Sequence, residues 1–265
     1  MKRYVVLTKE VGQTPLQAIH AWKAENPEYA SLPAAYAGRL DPMASGTLLV
    51  LLGEECKRQE HYRGFDKEYE IEVLLDVGSD TGDALGVVAY EGKETEVTDA
   101  ALRAALRAQL GTHLRAYPAY SSKTVNGKPL FLHALEGALP HMVLPEHEET
   151  IYRISHRKTT AIDTRALGAR VDAFLLRVPK TDEPSKALGA DFRIDAVRAS
   201  WDQMFREVGV RRFMIITLTV ACGSGTYMRT LAPRLGTALG STALALSIRR
   251  TKIGRRFFGL WFKTL

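Results

Sequence analysis

GRLDPMASGTL, residues 38 to 48, places Asp41 directly before a proline and between two glycines. Proline fixes its own backbone torsion, so Asp41 lies on a stiff turn that holds its carboxylate in place. The glycines and small residues allow a second backbone to approach closely. Alone, the stretch also fits an ordinary Asp-Pro turn, so the rest of the chain must decide between a turn and a catalytic carboxylate.

Strands and helices are predicted on both sides of this loop, which we place at residues 36 to 46. Thr14 and Pro15 begin a helix, because threonine is a favoured N-cap and proline a favoured first helical residue. Thr98 caps a second helix, with Leu102, Leu106 and Leu110 on one face. The other predicted elements are strands at 3–8, 47–52 and 213–220 and helices at 15–25 and 225–239.

Residues 69 to 77 give the clearest strand. Apolar residues at every second position, from Tyr69 to Val77, alternate with acidic ones and are interrupted only by Leu74. Such a period of two is typical of a half-buried strand. Several consecutive strands have no helix between them, so we predict an α/β or α+β domain with a mixed, mostly antiparallel sheet flanked by helices.

Residues 157 to 212 differ from the rest of the chain. They follow a basic cluster at 153–158 and contain a polar stretch at Pro179–Ser185. They also contain a helix with Val197, Trp201, Met204, Phe205 and Val208 on one face. We interpret this segment as an insertion in a single catalytic domain that spans residues 1–265.

Composition excludes several classes of protein. No apolar run is long enough to cross a bilayer, and the N-terminus fits neither a signal peptide nor a transit peptide. Two cysteines, Cys56 and Cys222, do not make a disulfide framework or a zinc site. We therefore expect a cytoplasmic protein without a metal, a membrane partner or an obligatory protein partner, most simply a monomer.

Residues 249 to 265 carry the whole net charge of +6, with six basic residues and no acidic one. Aromatic residues lie among them. Basic side chains bind phosphates and aromatic rings stack on unpaired bases, which favours RNA binding. The composition fits equally well a strand with a solvated basic face and buried rings.

The Asp41 stretch resembles the GxLDPxAxGxL signature of the tRNA pseudouridine synthase B (TruB) family. Further segments resemble that family's motifs in the same order, so coincidence is a poor explanation. They are LGEECK (52–57), KEY (67–69), SDTGD (79–83), YPAYSSKTVNGK (117–128), CGSGTYMRTL (222–231) and IRRT (248–251). The resemblance covers nearly the whole chain outside 157–212.

The resemblance implies an enzyme that isomerises a uridine to pseudouridine in RNA, without a cofactor. The expected target is the T-loop uridine of tRNA (tRNA position 55), turned out of its stack. By the match Asp41 is the catalytic nucleophile, Arg229 is its pairing cation, and Tyr69 stacks on the base and assists deprotonation. Tyr227 matches a second tyrosine of the pocket.

RNA-binding positions also follow from the resemblance. They are Lys9, Tyr36, Lys57, Lys123, Lys128, Tyr227, Arg249 and Arg250. Tyr36 stands where relatives commonly have a histidine, so stacking is preserved better than hydrogen bonding. The family's C-terminal PUA module is not expected in this chain. Two alternatives remain: an RNA-binding or tRNA-folding protein on a synthase fold, and a guide-dependent synthase.

Overall fold

A computed structural model describes residues 2–178, 193–257 and 260–262. The strands are β1 Tyr4–Lys9, β2 Ala34–Tyr36, β3 Ala44–Leu52, β4 Asp66–Leu75, β5 Val77–Ser79, β6 Val88–Tyr90, β7 Gly111–Ala116, β8 Thr124–Val125, β9 Lys128–Pro129, β10 Glu146–Asp163, β11 Arg212–Cys222, β12 Ala243–Phe257 and β13 Leu260–Phe262. The helices are α1 Pro15–Glu25, α2 Gln59–Arg63, α3 Asp99–Arg107, α4 Leu130–Leu135, α5 Thr164–Leu175, α6 Ile194–Val208 and α7 Met228–Ala238.

The main sheet has the order β1-β3-β12-β4-β11-β10-β7, with β2 added beside β3 and β13 beside β12. Its pairs are antiparallel except β3 with β12, which run parallel through residues 44–46 and 248–250. The predicted mixed, mostly antiparallel sheet with flanking helices is confirmed. The parallel pair joins the strand after the Asp41 loop to a strand about two hundred residues later, as the 204-residue separation of Thr47 and Thr251 shows.

Helix α1 begins and ends as predicted. The Thr14 hydroxyl accepts a hydrogen bond from the Gln17 amide, and the Gln17 side chain accepts one from the Thr14 amide. This capping box satisfies two amides that the first turn leaves without helical partners. Ala18 and Ile19 then pack beneath β1 and β3.

Strand β4 lies in the middle of the sheet, and most of its residues are buried, with Glu70 exposed. Tyr69, Ile71 and Val73 face a core formed with α3 and α7. Leu74, which interrupts the alternation, faces a second core formed with α5 and α6. The strand also begins earlier and ends earlier than predicted, since Val77 belongs to β5.

The predicted insertion at 157–212 includes parts of two strands. Residues 157–163 complete β10 and residue 212 begins β11, so residues 164–211 connect these two strands. The predicted apolar face of α6 packs on the sheet, and Trp201 donates from Nε1 to the Ala84 carbonyl at 3.1 Å. The polar stretch Pro179–Ser185 lies outside the described residues.

Three local predictions need correction. The Asp41 loop is shorter, since Tyr36 ends β2 and Ala44 begins β3. Helix α7 begins at Met228, three residues late. Leu110 lies beyond the end of α3 and is 39% exposed, so it is not part of the buried face. The basic segment from Arg249 continues β12 as far as Phe257, which is the strand that its composition allowed as one of two readings.

Candidate active site

The Asp41 loop is held by backbone contacts to a buried arginine. Arg250 of β12 donates to the carbonyls of Gly38 at 3.1 Å, Arg39 at 3.4 Å and Thr47 at 2.8 Å. Its side chain is only 1% exposed, so these carbonyls replace the water that a guanidinium normally binds. The loop is therefore fixed at both ends by one cation.

A buried lysine holds the same loop from the other side. Lys9, at the end of β1, donates from Nζ to the carbonyls of Glu10 at 2.8 Å and Ala44 at 2.5 Å, and more weakly to Pro42. Burial lowers the pKa of Lys9 to about 8, although the nearby charge of Asp41 opposes the change. Lys9 and Arg250 thus both act on the backbone around Asp41.

Two glycines permit the close approach of strands around this loop. Gly46 has φ +100°, and a Cβ there would lie 2.2 Å from the Arg250 carbonyl on the parallel strand β12. Gly82 has φ +79°, and a Cβ there would lie 2.5 Å from the Arg229 carbonyl. Both positions require glycine because a side chain would push the two halves of the site apart.

Asp41 and Arg229 form the centre of the site. Arg229 Nε donates to Asp41 Oδ2 at 2.8 Å, and Arg229 Nη2 donates to the Tyr120 carbonyl at 2.9 Å. The Asp41 side chain is 34% exposed and faces the cavity, whereas that of Arg229 is 5% exposed. Burial lowers the pKa of Arg229, but the charges of Asp41 and Asp83 more than compensate and raise it. The pair leaves an oriented carboxylate open to a ligand.

A second carboxylate lies behind this pair. Asp83 Oδ1 accepts hydrogen bonds from the Leu85 amide at 3.0 Å and the Thr81 hydroxyl at 2.9 Å. Burial raises the pKa of Asp83 to about 6, although the charge of Arg229 opposes the change. Arg229 therefore interacts with one open carboxylate and one enclosed carboxylate.

Asp83 should make folding stability depend on pH. Its pKa of about 6 exceeds the ordinary 3.8, so between about pH 4 and 6 the folded chain holds a proton that the unfolded chain has lost. The free energy of unfolding therefore falls as pH rises through this window, by on the order of 2 kcal/mol, and this group adds no change above it. Asp83→Asn removes the effect, so urea melts should show the parent losing stability relative to this variant across the window.

The exposed Asp99→Asn, in the first turn of α3, is the control for loss of one carboxylate. A difference between parent and Asp83→Asn that stays constant from about pH 4 to 6 would contradict the assigned state of Asp83.

Two tyrosines form walls of the site. Tyr69 of β4 is 8% exposed, and burial raises its pKa, with the charge of Arg250 opposing. Burial also raises the pKa of Tyr227 to about 12, and the charge of Asp41 adds to the effect. Both rings are neutral phenols at neutral pH, which suits them to stacking and to hydrogen bonding.

These groups surround one cavity of about 610 Å³. Its lining combines the loop before β3, the start of β4, the 81–85 turn, residues 117–122 and the start of α7. This volume lies in the range of pockets that enclose small ligands. The site residues on its wall are Asp41, Tyr69, Lys67, Asp83, Tyr117, Tyr120, Arg193, Tyr227, Arg229 and Arg250.

An aromatic group continues the wall outside Tyr227. Tyr117 stacks on His147 with ring centroids 4.0 Å apart, and Tyr227 meets both rings edge-on. Lys123 Nζ lies over the Tyr117 ring at 5.0 Å and is exposed. Rings with a cation beside them form a surface suited to unpaired bases and phosphates.

The structure separates the predicted site residues into two groups. Asp41, Tyr69, Tyr227, Arg229 and Arg250 meet at the cavity. The others do not line it: they are Lys9, Tyr36, Lys57, Lys123, Lys128 and Arg249. Sequence alone placed all of the basic ones on an RNA-facing surface.

Lys9 and Arg250 need correction as direct RNA-binding residues. Lys9 is 0% exposed and Arg250 is 1% exposed, and both donate to backbone carbonyls of the Asp41 loop. Their charges serve the loop instead of a phosphate. Tyr36 is half-buried against the core beneath β1 and α1.

The remaining candidates keep accessible charges. Lys57 is exposed and pairs with Glu54 at 2.5 Å, and Lys128 is half-buried and pairs with Glu136. Arg249 is exposed on β12. Their role in RNA binding stays a prediction.

Sequence reasoning missed several residues of the site, among them Asp83, Lys67 and Glu149. Asp83 and Lys67 lie inside the SDTGD and KEY motifs, but the motifs did not indicate a role for either residue. Lys67 Nζ donates to the carbonyl of Arg63 at 2.7 Å and to Ser224 Oγ at 3.2 Å. Glu149 of β10 accepts from the Tyr227 amide at 3.0 Å and pairs with Arg234 at 3.2 Å, which fixes the start of α7. No sequence pattern pointed to Glu149.

Within residues 2–178, 193–257 and 260–262, no cluster of three or more His, Cys, Asp or Glu side chains could hold a metal ion. None of the helices in the described part of the chain has the length and apolar character needed to cross a membrane.

The sequence of this chain is similar to those of known proteins. The model of the TruB family pseudouridylate synthase (N terminal domain) matches residues 30–172. The tRNA pseudouridine synthase B of Ralstonia nicotianae is 32% identical over 83% of this chain and 54% of that protein. The enzyme of the same name from Burkholderia mallei is 29% identical over 94% of this chain and 64% of that protein.

The chain thus spans between 54% and 64% of the length of these relatives. A chain in the crystal structure of a Cbf5-Nop10-Gar1 complex superposes with a TM-score of 0.54 and 16% identity. That match covers 95% of this chain and 48% of the other. At this identity the likeness shows a shared fold.

Proposed function

Because this chain belongs to the TruB family of pseudouridylate synthases, we propose that it isomerises a uridine of tRNA to pseudouridine. The observation that carries the proposal is the Asp41–Arg229 pair, which presents a fixed carboxylate to an enclosed, aromatic-lined cavity. The target proposed is the T-loop uridine, and the nucleophile proposed is Asp41.

The reaction breaks one bond and forms another without net oxidation. The bond between N1 of the base and C1′ of the sugar breaks, the base turns, and C5 bonds to C1′. The proton on C5 then leaves and N1 gains one. Asp41 is proposed to attack the sugar or the base as the nucleophile, and the bond that it forms breaks again before the product leaves, while Arg229 holds the carboxylate in position.

The base is proposed to be held between aromatic walls. Tyr69 and Tyr227 offer neutral rings on the cavity surface, so a flipped uracil can stack while its edge meets polar groups. The Tyr69 hydroxyl is proposed to assist transfer of the C5 proton. Since the resting phenol is neutral, its part is to hold and relay a proton, as in general acid–base catalysis.

One experiment tests the proposal. The protein is incubated with an unmodified tRNA transcript, and pseudouridine is mapped at single-nucleotide resolution. One modified site in the T loop supports the full proposal, and a site elsewhere keeps the reaction while changing the target. Tight binding with no pseudouridine at any position would support an RNA-binding protein on a synthase fold instead.

Lys123 should contribute affinity without contributing to the chemical step. It is exposed at the cavity edge beside Tyr117, where a backbone phosphate next to a stacked base would lie. Lys123→Ala is expected to weaken tRNA binding and to reduce the slope of log affinity against log salt by roughly 0.7 to 0.9. The rate at saturating tRNA should stay within about twofold of the parent. Filter binding at several salt concentrations measures the slope.

Lys93→Ala is the matched control, because Lys93 is exposed and does not line the cavity. If the plots of log affinity against log salt superimpose for the parent and Lys123→Ala, Lys123 does not contact RNA phosphate.

A further inference from the structure

The segment inserted between β10 and β11 reaches the cavity through one residue. Of its described residues, 164–178 and 193–211, only Arg193 lines the cavity. Arg193 lies directly before α6 and has φ +54°, a left-handed conformation that non-glycine residues seldom adopt. The turn into α6 therefore brings a guanidinium to the wall of the catalytic site.

Arg193 is held in a defined geometry there. Its Nη1 donates to Asp80 Oδ2 at 2.6 Å and its Nη2 donates to Asp80 Oδ1 at 3.1 Å. The guanidinium also lies over the Tyr120 ring at 4.5 Å. The Tyr120 hydroxyl donates to the same Asp80 carboxylate at 3.1 Å. A two-pronged ion pair with a stacked ring fixes the position of all three side chains.

Tyr120 connects this group to the catalytic pair. Its carbonyl accepts from Arg229 Nη2 at 2.9 Å, while Arg229 Nε donates to Asp41 Oδ2 at 2.8 Å. The ring and the carbonyl belong to the same residue, so contacts that fix the Tyr120 ring also limit movement of its carbonyl. That carbonyl in turn orients the Arg229 guanidinium. The contacts run without a gap from Arg193 to Asp41.

We propose that Arg193 is a positioning residue: through Asp80 and Tyr120 it orients Arg229 and so holds Asp41 in its reactive geometry. The inference rests on the proposed isomerase function. It assigns a purpose to the inserted segment, which supplies a brace for the active site that the family motifs alone do not contain. Arg193 itself is not expected to touch the reacting atoms.

The alternative role for a cavity arginine is a direct contact to RNA phosphate. Both oxygens of Asp80 already accept from Arg193, and its side chain is 25% exposed. This arrangement favours bracing over phosphate binding. Two measurements separate these roles. Loss of a brace lowers the rate of pseudouridine formation at saturating tRNA, whereas loss of a phosphate contact lowers tRNA affinity and its salt dependence.

The test compares Arg193→Ala with a control on the same helix. Arg198→Ala removes the surface pair between Arg198 and Asp172, 2.9 Å long, which lies away from the cavity. The readouts are single-turnover pseudouridine formation at saturating tRNA, tRNA affinity at several salt concentrations, and thermal unfolding. Arg193→Ala is expected to lower the rate about tenfold to a hundredfold, because small misplacements of catalytic groups cost that much. Affinity should stay within about threefold, and Arg198→Ala should match the parent.

If Arg193→Ala does not fold, a conservative variant at the same position can still test the proposal. Arg193→Lys retains a charge beside Asp80 but loses the two-pronged fork, so it should recover part of the rate with parental thermal stability. The rate effects of Arg193→Ala and Tyr120→Phe should be less than additive in the double variant, because both act on the same brace.

A spectroscopic readout separates failure of this inference from failure of the proposed function. The Nε–H signal of Arg229 in a nitrogen–proton NMR spectrum, assigned with Arg229→Lys, should move in Arg193→Ala and stay in place in Arg198→Ala. Absence of product with the parent would remove the proposed function. A parental rate and an unmoved Arg229 signal in Arg193→Ala would overturn the brace, as would a reduced salt slope with an unchanged rate.

Discussion

Asp41→Asn is expected to abolish pseudouridine formation, a loss of at least about 10⁴-fold in single-turnover rate. The amide has the shape of the carboxylate and can still accept from Arg229 Nε, so the loop geometry is retained. It is not a nucleophile, because its nitrogen lone pair is delocalised and its oxygen carries no charge. Affinity for tRNA should stay within a few-fold of the parent, because no contact expected to hold phosphate is removed.

Asp99→Asn provides the control, since it removes an exposed carboxylate far along the chain in the first turn of α3. It should turn over like the parent. Turnover by Asp41→Asn near the parental rate, from protein checked by mass spectrometry for deamidation back to aspartate, would refute the nucleophile assignment.

Tyr69→Phe is expected to lower the rate at saturating tRNA by about 10² to 10⁴-fold, the usual contribution of a group that transfers a proton. The ring remains to stack and to fill the core around Ile71. Stability should fall by no more than about 1.5 kcal/mol, the net worth of one hydrogen bond. Single-turnover kinetics and urea melts on the same preparation measure the two effects.

Tyr62→Phe is the matched control, because Tyr62 is equally buried at 8% exposure and lies outside the cavity. Its hydroxyl donates to Glu55 at 2.6 Å, so its loss should lower stability and leave turnover unchanged. Equal turnover by Tyr69→Phe and the parent would reduce Tyr69 to a stacking and packing residue.

The sequence predicted well those elements that depend on residues close together in the chain. The capping residues of α1 and the apolar face of α6 act within a few residues of sequence, so both were recognised. The Asp41 loop was also recognised, because proline and glycine limit the backbone directly. Its start was misplaced by one residue and its end by three, since β2 ends at Tyr36 and pairing with β1 and β12 extends β3 back to Ala44.

The roles of Lys9 and Arg250 could not be read from the sequence. Long basic side chains are rarely fully buried, so a surface role is the better expectation for any single one. Here loop carbonyls from distant parts of the chain accept their hydrogen bonds and replace water. That arrangement exists only once the strand order is known. The exposure of Leu110 could not be read from the sequence either, because Leu110 continues the periodicity of α3 but lies past the end of that helix.

The site was predicted best where motif and geometry coincide. Asp41, Tyr69, Tyr227 and Arg229 were each named from sequence and meet at the cavity. Asp83 was passed over because an aspartate in a glycine turn fits a structural role as well. Its burial beside Arg229 comes from the fold. Arg193 had no pattern at all, since its place depends on how the insertion packs.

The parallel pairing of β3 with β12 makes the geometry of the Asp41 loop depend on a residue that is synthesised much later than the loop. Arg250 reaches Gly38 across 212 residues of chain. A ribosome adding roughly 5 to 20 residues per second takes on the order of ten to forty seconds to supply that arginine after the glycine. Until then the Asp41 loop has the contacts of Lys9 but lacks those of Arg250 and the parallel strand β12. A nascent chain that already carries Asp41 therefore lacks the Arg250 contacts that hold the Asp41 loop, and the proposed activity is expected only after Arg250 has been added.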